Sequence, residues 1–452
     1  MKKRALKLST THIILLSFFC AIMLGTLLLA LPMSSADVHS QGLVNALFTA
    51  TTATCVTGLV VVPTVSAWST FGQAVILLLI QLGGLGIITV MSGVALMFHR
   101  KMGLAGNMLL QDAFNLNTLS GLSSFVKKVI AGTFIIEGIG ALLYMTVFIP
   151  DFGLRGIWIS VFTAVSAFCN AGIDIIGTVS LCDYAVNPLI NTVTGLLIVL
   201  GGIGYIVWWD FIRVITQYKK KKGNIFKRLT LHSKIALTAT AVLLFGGAAL
   251  FFVLEYDNSL TIGDMSLFDK IQICLFQSVT TRTAGFATVP QENLTEASAI
   301  VALLLMFIGG SPVGTAGGIK TVTITVLFAA AYAAIKNRND VSMFSRTVSK
   351  QAVSKAIGVT CMSFTIMFVS TVLLAAVTDA PALDILYETV SATATVGLTR
   401  NLTPSLNLIG RLIIIASMYL GRVGPISLAV AFTFKKQNDN IVKNPTEIIS
   451  VG

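Results

Sequence analysis

Four short tracts share one plan: TATCVTGL (Thr52–Leu59), SAFCNAGI (Ser166–Ile173), TTRTAGFA (Thr280–Ala287) and SATATVGL (Ser391–Leu398). Each is small-residued, rich in hydroxyls and carries a glycine near its end, and Arg282 is the one charge among them. Residues of this kind offer no nucleophile–base pair and no paired carboxylates. They offer oxygen. Main-chain carbonyls aimed at one point, helped by Thr and Asn side chains, can replace the hydration shell of a monovalent cation. Glycine permits that geometry, because turning successive carbonyls one way needs backbone angles that a Cβ obstructs. The candidate ligands are therefore Thr57 and Gly58, Ala171 and Gly172, Ala284 and Gly285, and Val396 and Gly397.

One such tract alone would read as a helix-packing site or a kink, which Gly and Thr often serve in membranes. Four copies argue otherwise. The closing glycines recur at a nearly constant step of about 113 residues, which is the mark of an internal repeat. An aromatic stands ten residues ahead of the glycine in three units (Phe48, Phe162, Tyr387) and nine ahead in the third (Phe276), leaving that unit slightly out of register.

The elements that carry the tracts follow from composition. Of 452 residues, 55% are hydrophobic and only 11% charged, and mean hydropathy is +0.86, whereas a soluble domain carries about 25% charged residues. Runs such as THIILLSFFCAIMLGTLLLALPM reach the roughly 20 residues needed to cross a bilayer. The fold class is an all-α polytopic membrane protein. MKKRALK precedes an apolar run too long for a signal peptide, so the first helix is expected to be retained.

Each unit reads as a long apolar helix, an acidic loop, a short apolar stretch, the glycine tract and a second long helix. The short stretches (LVNALFTATTA, IWISVFTAVSAF, LFDKIQICLFQSV, ALDILYETVSA) cannot span and must be re-entrant. The expectation is eight spanning helices and four half-way helices, in parallel repeats with pseudo-fourfold arrangement around one pore. The repeats run over residues 11–102, 103–222, 223–345 and 346–436, with cytoplasmic ends at 1–10 and 437–452.

The formal charge of +12 is distributed as a topology signal. Basic residues cluster at Lys2, Lys3, Arg4 and Lys7, at Arg100 and Lys101, at Lys219–Lys222 with Lys227 and Arg228, at Lys336, Arg338 and Arg346, and at Lys435, Lys436 and Lys443. The alternate connections hold Asp37, Asp151, Asp183, Glu255, Asp257, Asp264 and Asp379. By the positive-inside rule both termini are cytoplasmic and the chain is a multi-pass protein of the plasma membrane. The lysine run faces anionic lipid, and no nucleic acid partner is implied. No CxxC occurs, Cys20, Cys274 and Cys361 fall in apolar helices, and no structural disulfide is expected. The four histidines (His12, His39, His99, His232) have no metal-ligand spacing. No triad, HExxH or P-loop appears, so an enzyme is disfavoured and no cofactor is expected in this chain. An alternating-access carrier is the other rival, though neutral glycine loops give it no substrate-binding charge.

A second constellation follows each tract: QLGGLG (Gln81–Gly86), VLGGIG (Val199–Gly204), FIGGSPVGTAGGIK (Phe307–Lys320) and YLGRVGP (Tyr419–Pro425). The first two read as close helix packing. In the third, Gly309, Gly310, Ser311, Pro312, Gly314, Gly317 and Gly318 should break the helix inside the membrane. Arg422 is a charge within a spanning helix, expected to face a cavity or a partner, unless it snorkels to the cytoplasmic end; Lys320 could be merely interfacial. Glu137 reads as a packing carboxylate that could bond the second tract. Arg282 is expected to turn away from the pathway onto an acid such as Glu388, and Asp174 to collect cations at the outer mouth.

The order helix, pore helix, glycine loop, helix, written four times, resembles the Trk/Ktr/HKT superfamily of potassium transporters over essentially the whole chain. It is most similar to the membrane subunit of the bacterial Ktr system, with TTRTAGF and MYLGRVGP the most specific matches. That resemblance implies that Gly58, Gly172, Gly285 and Gly397 form a filter for K+. Sodium-favouring plant relatives carry serine at the first position; glycine at all four resembles the potassium-selective type, with a sodium/potassium-conducting relative as the alternative. It further implies a mobile gate loop over 307–320, an Arg422 that hinders passage beneath the filter, a homodimer, and a cytosolic ring of nucleotide-binding regulatory subunits. The docking surfaces would be Lys219–Lys234, Lys336–Lys350 and the tail Lys435–Gly452.

Overall fold

The computed structural model describes residues 10–37, 40–97, 122–218 and 224–424. The basic clusters at Lys2–Lys7, Arg100–Lys101, Lys219–Lys222 and Lys435–Lys443, with His39, His99, Pro425 and the C-terminal tail, lie outside the described residues.

Four outer helices, Thr10–Leu29, Leu122–Phe152, Leu231–Glu255 and Lys350–Ala375, are long and apolar enough to cross a membrane. Between 11% and 33% of their most apolar windows is buried, so most of their surface is a greasy outer wall. The short stretches form helices over Leu43–Cys55, Arg155–Cys169, Leu267–Thr280 and Ala382–Ala394. At 1.5 Å per residue these reach about two thirds of the way through ~30 Å of hydrocarbon. Their C-terminal halves are buried almost without exception.

The inner spans depart from expectation. The first runs as Thr70–Leu85 and Ile87–Met97, broken at Gly86 (φ +82°). In the second, Pro188–Gly202 and Tyr205–Gln217 meet at 95°, with Gly204 at φ +93° between them. The third is Glu296–Phe307 and Thr321–Ile335, separated by the glycine-rich loop. The fourth, Leu408–Val423, ends at Gly424 (φ +89°). Among the described residues four spans are thus continuous outer helices, and the first three inner ones are interrupted. The LGGLG and LGGIG clusters pack closely, as expected, but they also break. A Cβ on Gly83, Gly201 or Gly421 would strike the carbonyl of Thr54, Phe168 or Thr393 at a pore-helix end. Three positions on, Gly86, Gly204 and Gly424 hold the positive φ at which each helix has given way.

Local signals start the inner helices at equivalent places. Ser69, Asn187, Thr295 and Asn407 each accept a hydrogen bond from a first-turn amide, which satisfies orphan donors worth ~1 kcal/mol each. Packing then closes a cycle. The inner helix of the first repeat lies on the pore helix of the second, the second on the third, the third on the fourth, and the fourth on the first.

Candidate cation site

A left-handed residue stands two positions before each glycine: Val56 (φ 55°), Asn170 (φ 59°) and Thr395 (φ 52°) cap their pore helices, and Thr283 (φ 66°) lies in the turn beyond the third. In three repeats the turn is closed by a bond reaching back five residues, from Thr57 N to Thr52 O at 2.9 Å, Ala171 N to Ser166 O at 2.8 Å and Val396 N to Ser391 O at 2.8 Å. The third closes one residue shorter, from Ala284 N to Thr280 O at 3.0 Å. This is the register slip seen in the sequence, absorbed in the turn so that Gly285 still arrives level with the others.

The first residue of each tract, Thr52, Ser166, Thr280 or Ser391, has a role that its type alone does not announce. The structure does. Thr52 Oγ1 accepts from Gly58 N at 3.0 Å, Ser166 Oγ from Ile173 N at 3.1 Å and Ser391 Oγ from Gly397 N at 3.0 Å, while Thr280 Oγ1 donates to Phe286 O at 2.5 Å. A hydroxyl at one register, repeated four times, pins the backbone of each tract. The available signal was that recurrence of Ser/Thr itself.

The four glycines meet. A Cβ on Gly58 would stand 2.6 Å from the Ala171 carbonyl oxygen, one on Gly172 2.5 Å from that of Ala284, and one on Gly285 2.6 Å from that of Val396. Gly397 closes the circle on the Thr57 carbonyl. Thr57, Ala171, Ala284 and Val396 therefore present their carbonyls around one closed ring, at the negative ends of four helices. All four glycines open outward into one cavity of about 310 Å³. Thr54, Thr57 and Thr395 are fully buried, and their hydroxyls have no hydrogen-bond partner among the described residues.

Beneath the ring lies the 308–320 loop. Its base is closed by Ile319 N to Phe307 O at 3.1 Å and Thr321 N to Gly310 O at 3.0 Å. Its tip reaches the tracts of three repeats: Thr315 Oγ1 donates to Asn170 Oδ1 at 2.8 Å, Gly317 N donates to Thr283 Oγ1 at 3.0 Å, and Gly317 sits where a side chain would strike Thr395 Oγ1. Gly309, Gly310, Ser311, Gly314 and Gly318 complete the loop, and Gly310, Ser311 and Gly314 lie against Gly201 or Gly202 of the second repeat.

Arg422 does not snorkel. Its Nη1 donates to Thr315 O at 2.7 Å and its Nη2 to Gly83 O, so one side chain of the fourth repeat ties the loop to the first. Lys320 folds back on the loop, donating to Ala316 O at 2.5 Å. A cavity of about 140 Å³ lies beside both cations, walled by Gly317, Thr393 and Ser363.

Arg282 turns away from the ring as expected, but not onto Glu388. It reaches Thr240 Oγ1 at 3.5 Å and Gly309 O at 3.4 Å, on the loop side of the third tract. Glu388 is occupied by Thr399 at 2.6 Å and Thr403 at 2.5 Å, on the outer side of the fourth. The two groups belong to different levels of the molecule and meet neutral partners, and the buried Arg282 Nε has no hydrogen-bond partner among the described residues. Glu137 accepts from Gln81 Nε2 at 3.3 Å and from the Cys169 thiol at 3.8 Å, at the end of the second pore helix.

Asp174 does line the outer cavity, with Glu292. Burial pushes its carboxyl up to about 6, partly offset by the Ser180 hydroxyl and the Ile176 and Gly177 amides. Above that pH it is charged, and below it the charge is lost. Rubidium uptake at sub-saturating concentration should therefore fall as external pH drops from 7.5 to 5, by about tenfold at low salt, the lower end of electrostatic steering effects. Asp174→Asn should give the low rate throughout that range; a profile equally steep in the variant would assign the titration elsewhere.

A profile of the TrkH cation transport protein family matches residues 2–444. The potassium/sodium uptake protein NtpJ of Enterococcus hirae is 38% identical over 459 aligned positions, covering 100% of this chain and 99% of that one. The Ktr system potassium uptake protein B of Bacillus subtilis is 37% identical, covering 98% and 96%. The crystal structure of the potassium transporter TrkH from Vibrio parahaemolyticus superposes with a TM-score of 0.74 at 16% identity, over 96% of this chain and 86% of that one, a likeness of fold.

Proposed function

The chain belongs to the TrkH family of cation transport proteins, and from that premise we propose that it takes up potassium across the plasma membrane through the ring of four glycine tracts. Its relatives are ion transporters and not enzymes. The observation that carries the reading is the closed cycle Gly58, Gly172, Gly285, Gly397, opening as one into the outer cavity.

A hydrated cation enters the acidic mouth beside Asp174 and Glu292. It exchanges water for the carbonyls of Thr57, Ala171, Ala284 and Val396, with the buried Thr57 hydroxyl beside them. Ligands already held in place cost little to reorganise, which favours the ion whose shell they match. Hydroxyl pins from Thr52, Ser166, Thr280 and Ser391 hold the ring at that size. Inward passage is closed by the 308–320 loop, with Thr315 and Gly317 against the tracts and Arg422 locking the loop and adding a positive charge below the ring. The loop is the gate.

Sodium as a second transported or driving ion is the alternative, supported by the name of the Enterococcus hirae relative. Control by nucleotide would come from cytosolic ring subunits docked on the basic loops Lys219–Lys234 and Lys336–Lys350, the latter carrying the hairpin Ser342–Thr347, and on the tail; the membrane unit would be a homodimer with both termini in the cytoplasm.

Rubidium uptake by cells lacking their own potassium uptake systems tests the proposal. Expression of this chain with a ring subunit should restore growth at low potassium and rubidium entry. Absence of uptake with and without that subunit would overturn it.

A further inference from the structure

Three backbone hydrogen bonds join the gate loop to a helix in a different repeat. Ser311 N donates to Gly202 O at 2.8 Å, Thr315 N to Gly201 O at 3.1 Å, and Tyr205 N donates to Val313 O at 3.0 Å. These groups are available because the second inner span is broken there. Stopping the helix at Gly202 frees its last carbonyls, and restarting it at Tyr205 frees its first amides. Gly204 is a glycine for the same contact, since a Cβ on it would strike the Pro312 carbonyl. The break in the second repeat is the seat of the loop in the third.

The segment beyond the break, Tyr205–Tyr218, leaves at 95° and carries a second connection. Asp210 Oδ2 accepts from Thr230 N at 2.9 Å and Thr230 Oγ1 at 2.9 Å, and its Oδ1 accepts from Arg213. Thr230 caps the third outer helix. Four residues earlier, Phe226 meets Phe344 of the Ser342–Thr347 hairpin edge-on, with centroids 5.9 Å apart. Hairpin, Phe226, Thr230, Asp210, helix and Val313 form an unbroken line of contacts from the basic loops to the loop beneath the ring.

We infer that Asp210 is a positioning residue for the gate, acting through Tyr205–Tyr218: a pull on the 224–230 segment or the hairpin turns this helix, parts Tyr205 from Val313 and lets the loop leave the ring. The inference rests on the reading of the 308–320 loop as the gate. It adds where the loop is held, by which residues, and from which surface the hold is released.

Amide hydrogen exchange on the full chain in lipid nanodiscs tests the hold, and rubidium uptake tests its consequence. Asp210→Asn should accelerate exchange across 308–318 by about fivefold, as expected of local opening when few bonds hold a segment. It should raise maximal uptake with the KM for rubidium unchanged, because the ring is untouched, and Asp210→Glu should restore both. Gly204→Ala, which presses on Pro312 directly, should produce the same pattern with Asp210 intact. Faster exchange with unaltered uptake would leave the coupling standing and remove the loop as the gate. Loop exchange unchanged in both variants would overturn the inference.

Discussion

Replacing Gly58 with serine is expected to cut the preference for potassium over sodium by roughly tenfold while leaving a transporting protein. The glycine stands at φ +98°, a conformation costing a side-chain-bearing residue of order 1–3 kcal/mol. The new Cβ would also lie 2.6 Å from the Ala171 carbonyl oxygen and 3.1 Å from Gly397 Cα. Neither neighbour is a flexible side-chain end. Both are backbone of the ring, so the ring itself must shift. One carbonyl of the four turns aside, the serine hydroxyl offers itself instead, and the remaining cage is less strict about ion size. A change of ~1.4 kcal/mol in relative binding is a factor of ten, within the range of the strain introduced. Competition of sodium against rubidium uptake measures it. An unaltered preference would remove Gly58 from the ion's path.

Arg422→Ala is expected to raise maximal uptake about three- to tenfold and to leave ion preference intact. Two effects act in the same direction. The side chain makes charge-assisted bonds to Thr315 O and Gly83 O, each worth about 1.5–3 kcal/mol, and both vanish. A fixed positive charge also repels an ion below the ring by about 2 kcal/mol at ~8 Å and an effective dielectric of ~20. Arg422→Lys separates them: lysine retains charge but cannot span two carbonyls with a fixed fork, so its uptake should lie between. Rates equal to the unaltered protein in both variants would make Arg422 a structural tie and nothing more.

Much of this was legible in the sequence. The four tracts, the short helices before them and the break over 308–320 follow from glycine spacing and hydropathy, since a bilayer leaves few ways to place an unpaired backbone. Arg422 stood out because a charge at membrane depth needs a reason. Three things were harder to read. Gly86 and Gly204 looked like packing glycines because packing and breaking use the same residue, and only the positive φ distinguishes them. Arg282 seemed to need an acid, but buried cations also settle on carbonyls and hydroxyls, which leave no mark in composition. The pins at Thr52, Ser166, Thr280 and Ser391 were hidden by abundance, one hydroxyl among many in tracts full of them.

The cyclic packing has a consequence for how the molecule is made. The first pore helix is covered by the last inner helix, and the seam is sewn by Arg411 to Asn45 at 2.8 Å and Tyr419 to Leu15 at 2.9 Å. A ribosome delivers Leu15 some four hundred residues before its partner at Tyr419. Until then the insertion machinery holds an open arc, with a polar half-helix in the bilayer and one flank uncovered. The closed ring of glycine tracts comes into being in a single closing event at the end of synthesis, and a chain truncated in its final repeat has no partial version of it to offer.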